Sequence, residues 1–353
     1  MSLNPYIFSL LLMSLGLGTT LTFLSSHWLM AWMGLEISTL SIIPLLAKQN
    51  HPRAVEATTK YFLIQAAATA TLLFATLSNA WFTGQWNITE LTHPLLTSIV
   101  ILSLALKLGL APLHGWLPEV LQGLDLSTGL IISTWQKLAP FALLVQISLI
   151  DSFLIIFIGL VSILVGGWGG LNQTQLRKVL AYSSIGHLGW MAIVVQFSTA
   201  LTLLMLAVYL VMTTALFMVF NMNKTVTTKM LASSASNPVI FTIATPLLFL
   251  SLAGLPPLMG FMPKLLILKE LMQQEFILLA IMIAMSALLA IYFYLRLIYV
   301  MAMTTFPLPA SAPAIWRKIS TKWSVIISFL ISSTIMAMPL FPLIYAVISY
   351  FTG

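Results

Sequence analysis

Leu110 to Leu121 reads LAPLHGWLPEVL, and 145 positions later Leu255 to Leu266 reads LPPLMGFMPKLL, with six identities between the two stretches. The leucine matches carry little weight in a leucine-rich chain, but Pro112/Pro257, Gly115/Gly260 and Pro118/Pro263 are hard to match by accident. A proline inside a helix removes a backbone donor and collides with the preceding turn. In lipid, a carbonyl freed in this way is tolerated only where protein or internal water satisfies it. Two apolar segments interrupted alike therefore predict an internal repeat with a pair of broken helices, an arrangement in which transporters place their sites.

The surrounding composition fits that reading. Of 353 residues 60% are hydrophobic and 7% charged, and the mean hydropathy is +1.04. Apolar runs of about 20 residues, the length that crosses the hydrocarbon of a bilayer, recur along the whole chain, so it reads as an all-α polytopic membrane protein with no room for a soluble domain. The first apolar run, from Ile7, is too long for a cleavable signal peptide and has no basic flank. With no cysteine, the chain supplies no disulfide, thiolate metal site or iron–sulfur ligand.

Eleven spans are predicted, near residues 3–24, 26–46, 56–82, 95–121, 126–147, 150–171, 175–196, 198–222, 238–272, 276–303 and 322–347. The ninth is too long for one straight crossing and holds Pro246, Pro256, Pro257 and Pro263, so 238–272 joins 95–121 as a broken helix. Positive residues collect on the side from which a membrane protein is inserted. Alternate connections, on the N-terminal side, hold Lys48, Arg53, Lys60, Arg177, Lys178, Lys224, Lys229, Arg317, Lys318 and Lys322, ten of fifteen basic residues, while Glu90, Asp151, Glu275 and the pair Lys269/Glu270 lie opposite. The net charge of +7 is thus a signature of topology, and nucleic acid is not an expected partner. Taking five spans as the unit gives one half over 1–147, a second over 148–303 and an appended loop and helix over 304–353. Because five is odd, the two five-helix repeats are inverted.

Once the loop charges are set aside, Glu36, Lys107, Lys137 and Lys264 remain within spans. An ionised group at the bilayer centre costs about 2.5–3.5 kcal/mol on insertion scales, so each needs a partner, internal water or a neutral form. Lysine suits a proton relay because desolvation weakens its hold on the proton and a nearby carboxylate restores it. A Glu36/Lys107 pair would couple two titrations. The competing reading makes each a structural charge that snorkels or locks helices; Lys264, next to Pro263, and Glu36, near serines, are the most open to it. His114, beside the Pro112 break, and His187 in span seven are secondary relay candidates, against a packing role for each. Glu119, at the exit of span four, is a further candidate, with a plain headgroup contact as its alternative. Trp28, Trp81, Trp86, Trp116 and Trp316 read as interface anchors, and the GGWGG run at Gly166–Gly170 as a close-packing face.

Several longer stretches carry a resemblance: AWMGLEIST, LKLGLAPLHGWLPEVLQG followed by STWQKLAP, QLRKVLAYSSIGHLGWM and LSLAGLPPLMGFMPK. They resemble the subunit 2 family of mitochondrial NADH:ubiquinone oxidoreductase, respiratory complex I, over essentially the full chain and in its vertebrate form. More distantly they are similar to the antiporter-like subunits of that complex and of multisubunit sodium/proton antiporters. The resemblance implies a proton-pumping module in the membrane arm, with Glu36 paired to Lys107, Lys137 as a connecting lysine and Lys264 at the far channel. It implies no cofactor on this chain, with FMN, iron–sulfur clusters and ubiquinone held by partner subunits. It also implies neighbouring antiporter-like and small membrane-arm subunits as partners, lipids including cardiolipin, and a mitochondrial inner-membrane location with the N-terminus in the matrix. Relative to fourteen-helix relatives, it implies that three N-terminal helices are missing. The repeat alignment places Glu119 opposite Lys264 and Lys107 opposite Leu252, so the halves are not equivalent half-channels. Two other functions stay open on the residues alone: a cation/proton antiporter without redox coupling, and a structural membrane-arm subunit whose lysines lock helices.

Overall fold

The computed structural model describes residues 4–47, 51–91, 93–147, 152–233, 239–304 and 321–352. Sixteen α-helices lie among them. The first seven are α1 (Pro5–Leu24), α2 (Trp28–Leu46), α3 (Pro52–Thr83), α4 (Pro94–Leu108), α5 (Trp116–Gly123), α6 (Leu126–Ser133) and α7 (Trp135–Gln146). The remainder are α8 (Ser152–Gly170), α9 (Leu176–Val194), α10 (Thr199–Asn223), α11 (Thr228–Ser233), α12 (Val239–Ala253), α13 (Phe261–Gln273), α14 (Ile277–Thr304), α15 (Thr321–Met336) and α16 (Phe341–Thr352). Among the described residues seven apolar spans, α6 and α7 together counting as one, or eight if the bent pair α15/α16 is one span, are able by length and composition to cross a membrane. The other predicted spans fall on the interrupted pairs α4/α5 and α12/α13 and on α9, whose polar residues lower its hydropathy. Chain contacts divide the molecule into Met1–Ser162 and Ile163–Gly353, with the boundary inside α8.

Local signals start and stop these helices as the sequence leads one to expect. Asn4 accepts from the Tyr6 amide ahead of Pro5, and His51 Nδ1 accepts from the Arg53 amide ahead of Pro52, each occupying a donor that the first turn leaves free. Glycines on α1 and α2 bring two backbones together: a Cβ on Gly18 would stand 2.7 Å from the Gly34 carbonyl oxygen.

The two interruptions are the same motif at the same 145-residue offset. Gly109, with φ of 78°, and Gly254, with φ of 80°, end α4 and α12 in the left-handed region that glycine adopts freely. The amides of Gly109 and Leu110 both return to the Ala105 carbonyl at 2.9 Å, and those of Gly254 and Leu255 to the Leu250 carbonyl at 3.1 and 3.2 Å. This double bond pattern is that of a glycine-terminated helix. Helix resumes at Trp116 and Phe261, again 145 apart. A second element recurs as well. The α1–α2 and α3–α4 connections pair through Trp28 N to Trp86 O and Ile88 N to Ser26 O, both 3.0 Å. The α8–α9 and α10–α11 connections pair through Leu176 N to Val226 O and Thr228 N to Thr174 O, also 3.0 Å.

Several expectations change. Predicted span five holds as one apolar span, Leu126–Gln146, with a local irregularity between α6 and α7 at Thr134, where φ is −115° and ψ −71°. Its hydroxyl bonds the Leu130 carbonyl at 2.6 Å, a local hydroxyl-to-backbone bond of the kind that bends helices. Predicted span eleven turns by 69° between α15 and α16, where Pro339 and Pro342 withhold amide donors. Trp28 is 1% exposed and Trp116 6%, so neither is an interface anchor; Trp116 instead donates Nε1 to the Leu106 carbonyl at 3.0 Å and fills the first break. Trp81 is 87% exposed. Lys48, Asp151, Trp316, Arg317 and Lys318 lie outside the described residues.

Candidate functional site

Within Met1–Ser162 the predicted pair occupies helices on either side of α3. Glu36 stands in α2 and Lys107 in the last turn of α4, and α3 packs against both. Lys107 is 5% exposed, and its Nζ is buried with no hydrogen-bond partner, as is Glu36 Oε2. The two buried atoms are a donor and an acceptor. Among the described residues, however, no ion pair joins them. Two α3 residues that the sequence reading did not single out complete the setting. Tyr61, fully buried, packs edge-on against Trp116 at 5.8 Å. Gln65, one turn on, donates Nε2 to the Lys107 carbonyl at 3.3 Å. Their legible signal was two polar groups at i and i+4, facing one way inside an apolar span.

Lys137 lies in the first turn of α7, just after the Thr134 interruption, and is 2% exposed. Helix α7 packs against α1, α2 and α4, and Gln136 donates Nε2 to the Ser38 carbonyl at 3.0 Å, fixing α7 on α2. Of the secondary candidates, His114 sits in the first break with Nδ1 3.3 Å from the Pro112 carbonyl oxygen. Glu119 is exposed and binds Lys60 at 2.8 Å, beside Glu56 at 2.9 Å from the same ammonium.

Within Ile163–Gly353 the second break is closed by a lysine. Lys264 Nζ donates to the Ala253 carbonyl at 2.8 Å and to the Leu252 carbonyl at 3.2 Å. These belong to the last turn of α12, whose terminal carbonyls lack intrahelical donors and whose dipole favours a cation. The repeat makes the difference between the breaks plain. Carbonyl 107 receives Gln65, and its counterpart at 252 receives Lys264. Lys264 and His187 line one cavity with Tyr182, Ser183, Trp190 and Tyr294, about 20 Å³ in volume and so large enough for roughly one water molecule. His187 is 5% exposed and faces the Tyr209 ring at 5.8 Å. Ser183 Oγ and Ser184 Oγ donate to the Leu180 and Ala181 carbonyls of their own helix at 2.8 and 2.7 Å. The Gly166–Gly170 run packs as expected, with Gly166 against the Gly186 backbone and Gly167 against Leu289.

All three lysines therefore lie within one turn of a break in a membrane helix: Lys107 before Gly109, Lys137 after Thr134, Lys264 after Gly260. Among the described residues no three His, Asp or Glu side chains gather as a metal site.

The family model for the membrane domain of NADH:quinone oxidoreductase and Mrp antiporters matches residues 25–290, and that for the C-terminus of NADH dehydrogenase subunit 2 matches 291–345. NADH-ubiquinone oxidoreductase chain 2 of Salmo salar is 58% identical over 351 residues, 99% of this chain and 100% of the relative. The chain belongs to the NADH-ubiquinone oxidoreductase chain 2 family. The chain 2 protein of Oncorhynchus mykiss is likewise 58% identical, over 346 residues and 98% of each chain. Among solved structures, a chain of respiratory complex I from Thermus thermophilus superposes with a TM-score of 0.79 at 25% identity, covering 96% of this chain 2 member and 80% of that chain. A chain of an archaeal membrane-bound sulfane sulfur reductase reaches 0.82 at 18% identity, covering 97% and 74%, a likeness of fold. The antiporter-like membrane fold of this chain 2 member is thus shared beyond its sequence relatives.

Proposed function

We propose that this chain is a proton-translocating subunit of the membrane arm of respiratory complex I, a multi-pass protein of the mitochondrial inner membrane whose partners are other subunits of that complex. The observation that carries the reading is the coincidence of buried lysines with helix breaks. An unbroken apolar helix offers a proton no group to bind, whereas a break supplies orphan carbonyls and a negative dipole end that accept a cation or ordered water. Glu36 sets the electrostatics of Lys107, Lys137 relays from it, and Lys264 is the far station, with His187 and one water-sized cavity beside it. Motion of a neighbouring subunit that shifts Glu36 relative to Lys107 changes the proton affinity of Lys107. That change passes to Lys137 and Lys264. The chain itself carries no electrons; FMN, iron–sulfur clusters and ubiquinone belong to partner subunits. His114 and Glu119 serve at most as approaches to the relay, and cardiolipin is a proposed lipid neighbour.

We further read the two five-helix halves as inverted repeats, with the N-terminus in the matrix on the side of the basic loops. The antiporter alternative shares the breaks and lysines, but the match of residues 291–345 to a subunit 2 C-terminus favours the complex I reading. Membership is tested on a native gel stained for NADH dehydrogenase, with peptides of this chain sought in the active band; recovery only in redox-silent assemblies would favour the antiporter. The relay is tested by Lys107→Met in the assembled complex. An unchanged proton-to-electron ratio and turnover would refute it.

A further inference from the structure

Among the described residues of Met1–Ser162, five side-chain atoms are buried without a hydrogen-bond partner: Trp28 Nε1, Trp32 Nε1, Glu36 Oε2, Asn79 Oδ1 and Lys107 Nζ. Buried polar atoms are nearly always bonded, if not to protein then to ordered water, so one or two such orphans would be a local matter. Three of them share one helix face. Trp28, Trp32 and Glu36 are spaced i, i+4 and i+8 on α2, one face of the helix, over about 12 Å of rise. Lys107, in the last turn of α4, is the predicted partner of Glu36. Asn79 lies at the other end: its Nδ2 donates to the Glu90 carbonyl at 3.3 Å, in the connection whose residues Trp86 and Ile88 pair with Ser26 and Trp28. Asn79 is 0% exposed, and Trp28 1%. The indole and ammonium groups only donate, and the carboxylate and amide oxygens only accept. Water, which donates and accepts, serves every one of them.

We propose that a file of ordered water runs along α2 past Asn79, Trp28 and Trp32 to Glu36, forming a proton route that opens at the end of the unit carrying the 25–27 and 84–93 connections. Those connections hold no lysine or arginine, and their exposed titratable groups are His27, stacked on Trp86 at 5.2 Å, Glu90, and His93, stacked on Phe82 at 6.0 Å. The indoles do not exchange protons themselves. They are positioning residues that hold the water in single file and orient it, and Glu36 is the group it reaches. The route rests on the reading of Glu36 as a relay member and adds to it a direct aqueous connection, independent of Lys137 and Lys264.

The test uses the intact, assembled complex. A density map that resolves water is expected to show molecules within hydrogen-bond distance of both indole nitrogens. Trp32→Phe keeps the ring and removes the N–H; it is expected to slow coupled NADH oxidation about fivefold, the equivalent of one lost hydrogen bond, and to lower the proton-to-electron ratio. That ratio is normalised to electrons, so poorer assembly alone does not move it. Glu36→Gln is measured in parallel. No effect of Glu36→Gln would sink the relay reading itself. Impairment by Glu36→Gln with none by Trp32→Phe would leave the relay standing and overturn the route, whether or not water is seen; indole nitrogens found against hydrocarbon or a partner's carbonyl would overturn it as well.

Discussion

Replacing Lys264 by methionine separates two roles that its position combines. The ammonium donates to two terminal carbonyls of α12, at 2.8 and 3.2 Å, and a hydrogen bond from a charged donor contributes about 1.5–3 kcal/mol, so their loss costs about 3–6 kcal/mol if both carbonyls stay dry. Removing the charge from the membrane returns about 2.5–3.5 kcal/mol. The net is a destabilisation of about 0–3 kcal/mol, centred near the 1.4 kcal/mol that corresponds to a tenfold change in an equilibrium. Lys264→Gln retains N–H donors without the charge or the transferable proton. The assay is the amount of complex on a native gel, followed by the proton-to-electron ratio of what assembles. Lys264→Met is expected to lose both assembly and pumping, and Lys264→Gln to recover assembly while pumping stays low. If Lys264→Met assembled as well as wild type, the capping argument would be wrong. If Lys264→Gln pumped normally, Lys264 would carry no proton.

Three further outcomes follow from the packing. Alanine at Gly109 or Gly254 meets the same left-handed backbone, about 1–2 kcal/mol, but at 254 its Cβ also falls 2.9 Å from Lys264 Cδ and Nζ, against 3.4 Å from the nearest Trp116 carbon at 109; thermal inactivation of NADH:quinone activity should therefore be earlier for Gly254→Ala, and equal midpoints would count against the lysine cap. Gly18→Ala forces α1 and α2 apart at contacts of 2.7 and 2.8 Å to Gly34 and Ser38, an overpacking of about 1–3 kcal/mol, whereas Gly16→Ala meets nothing within 4 Å; assembled yield should fall for the first alone. Gln65→Leu leaves the Lys107 carbonyl without its 3.3 Å donor, about 1–3 kcal/mol for an unsatisfied buried acceptor, and should lower thermal stability of the complex more than Thr71→Val, whose hydroxyl bonds only its own helix at Ala68.

The repeat was legible because proline and glycine act locally. Pro112/Pro257 and Gly115/Gly260 marked both breaks, and charge marked Lys107, Lys137 and Lys264, because an ion in an apolar span stands out whatever its neighbours. The breaks left by other chemistry were harder to read. The interruption at Thr134 turns on a hydroxyl bonding Leu130, and threonine is common in unbroken membrane helices. The bend after Met336 had its signal in Pro339 and Pro342, but a single terminal span absorbed them. Tryptophans were misread for a related reason: Trp28 and Trp81 are the same residue type near helix ends, one buried and one exposed, and only packing tells them apart.

The sequence by itself determined the membrane class, the paired broken helices and the charged positions, since hydropathy, backbone restriction and the cost of burying charge depend on residue type and near neighbours. Tertiary structure alone decided what each charge meets: Lys264 on the Leu252 and Ala253 carbonyls, Glu119 on Lys60, and Lys107 in ion-pair contact with no described residue. Those assignments depend on which helix faces come together, and partners 11 and 59 positions apart are chosen by packing, which no local rule encodes.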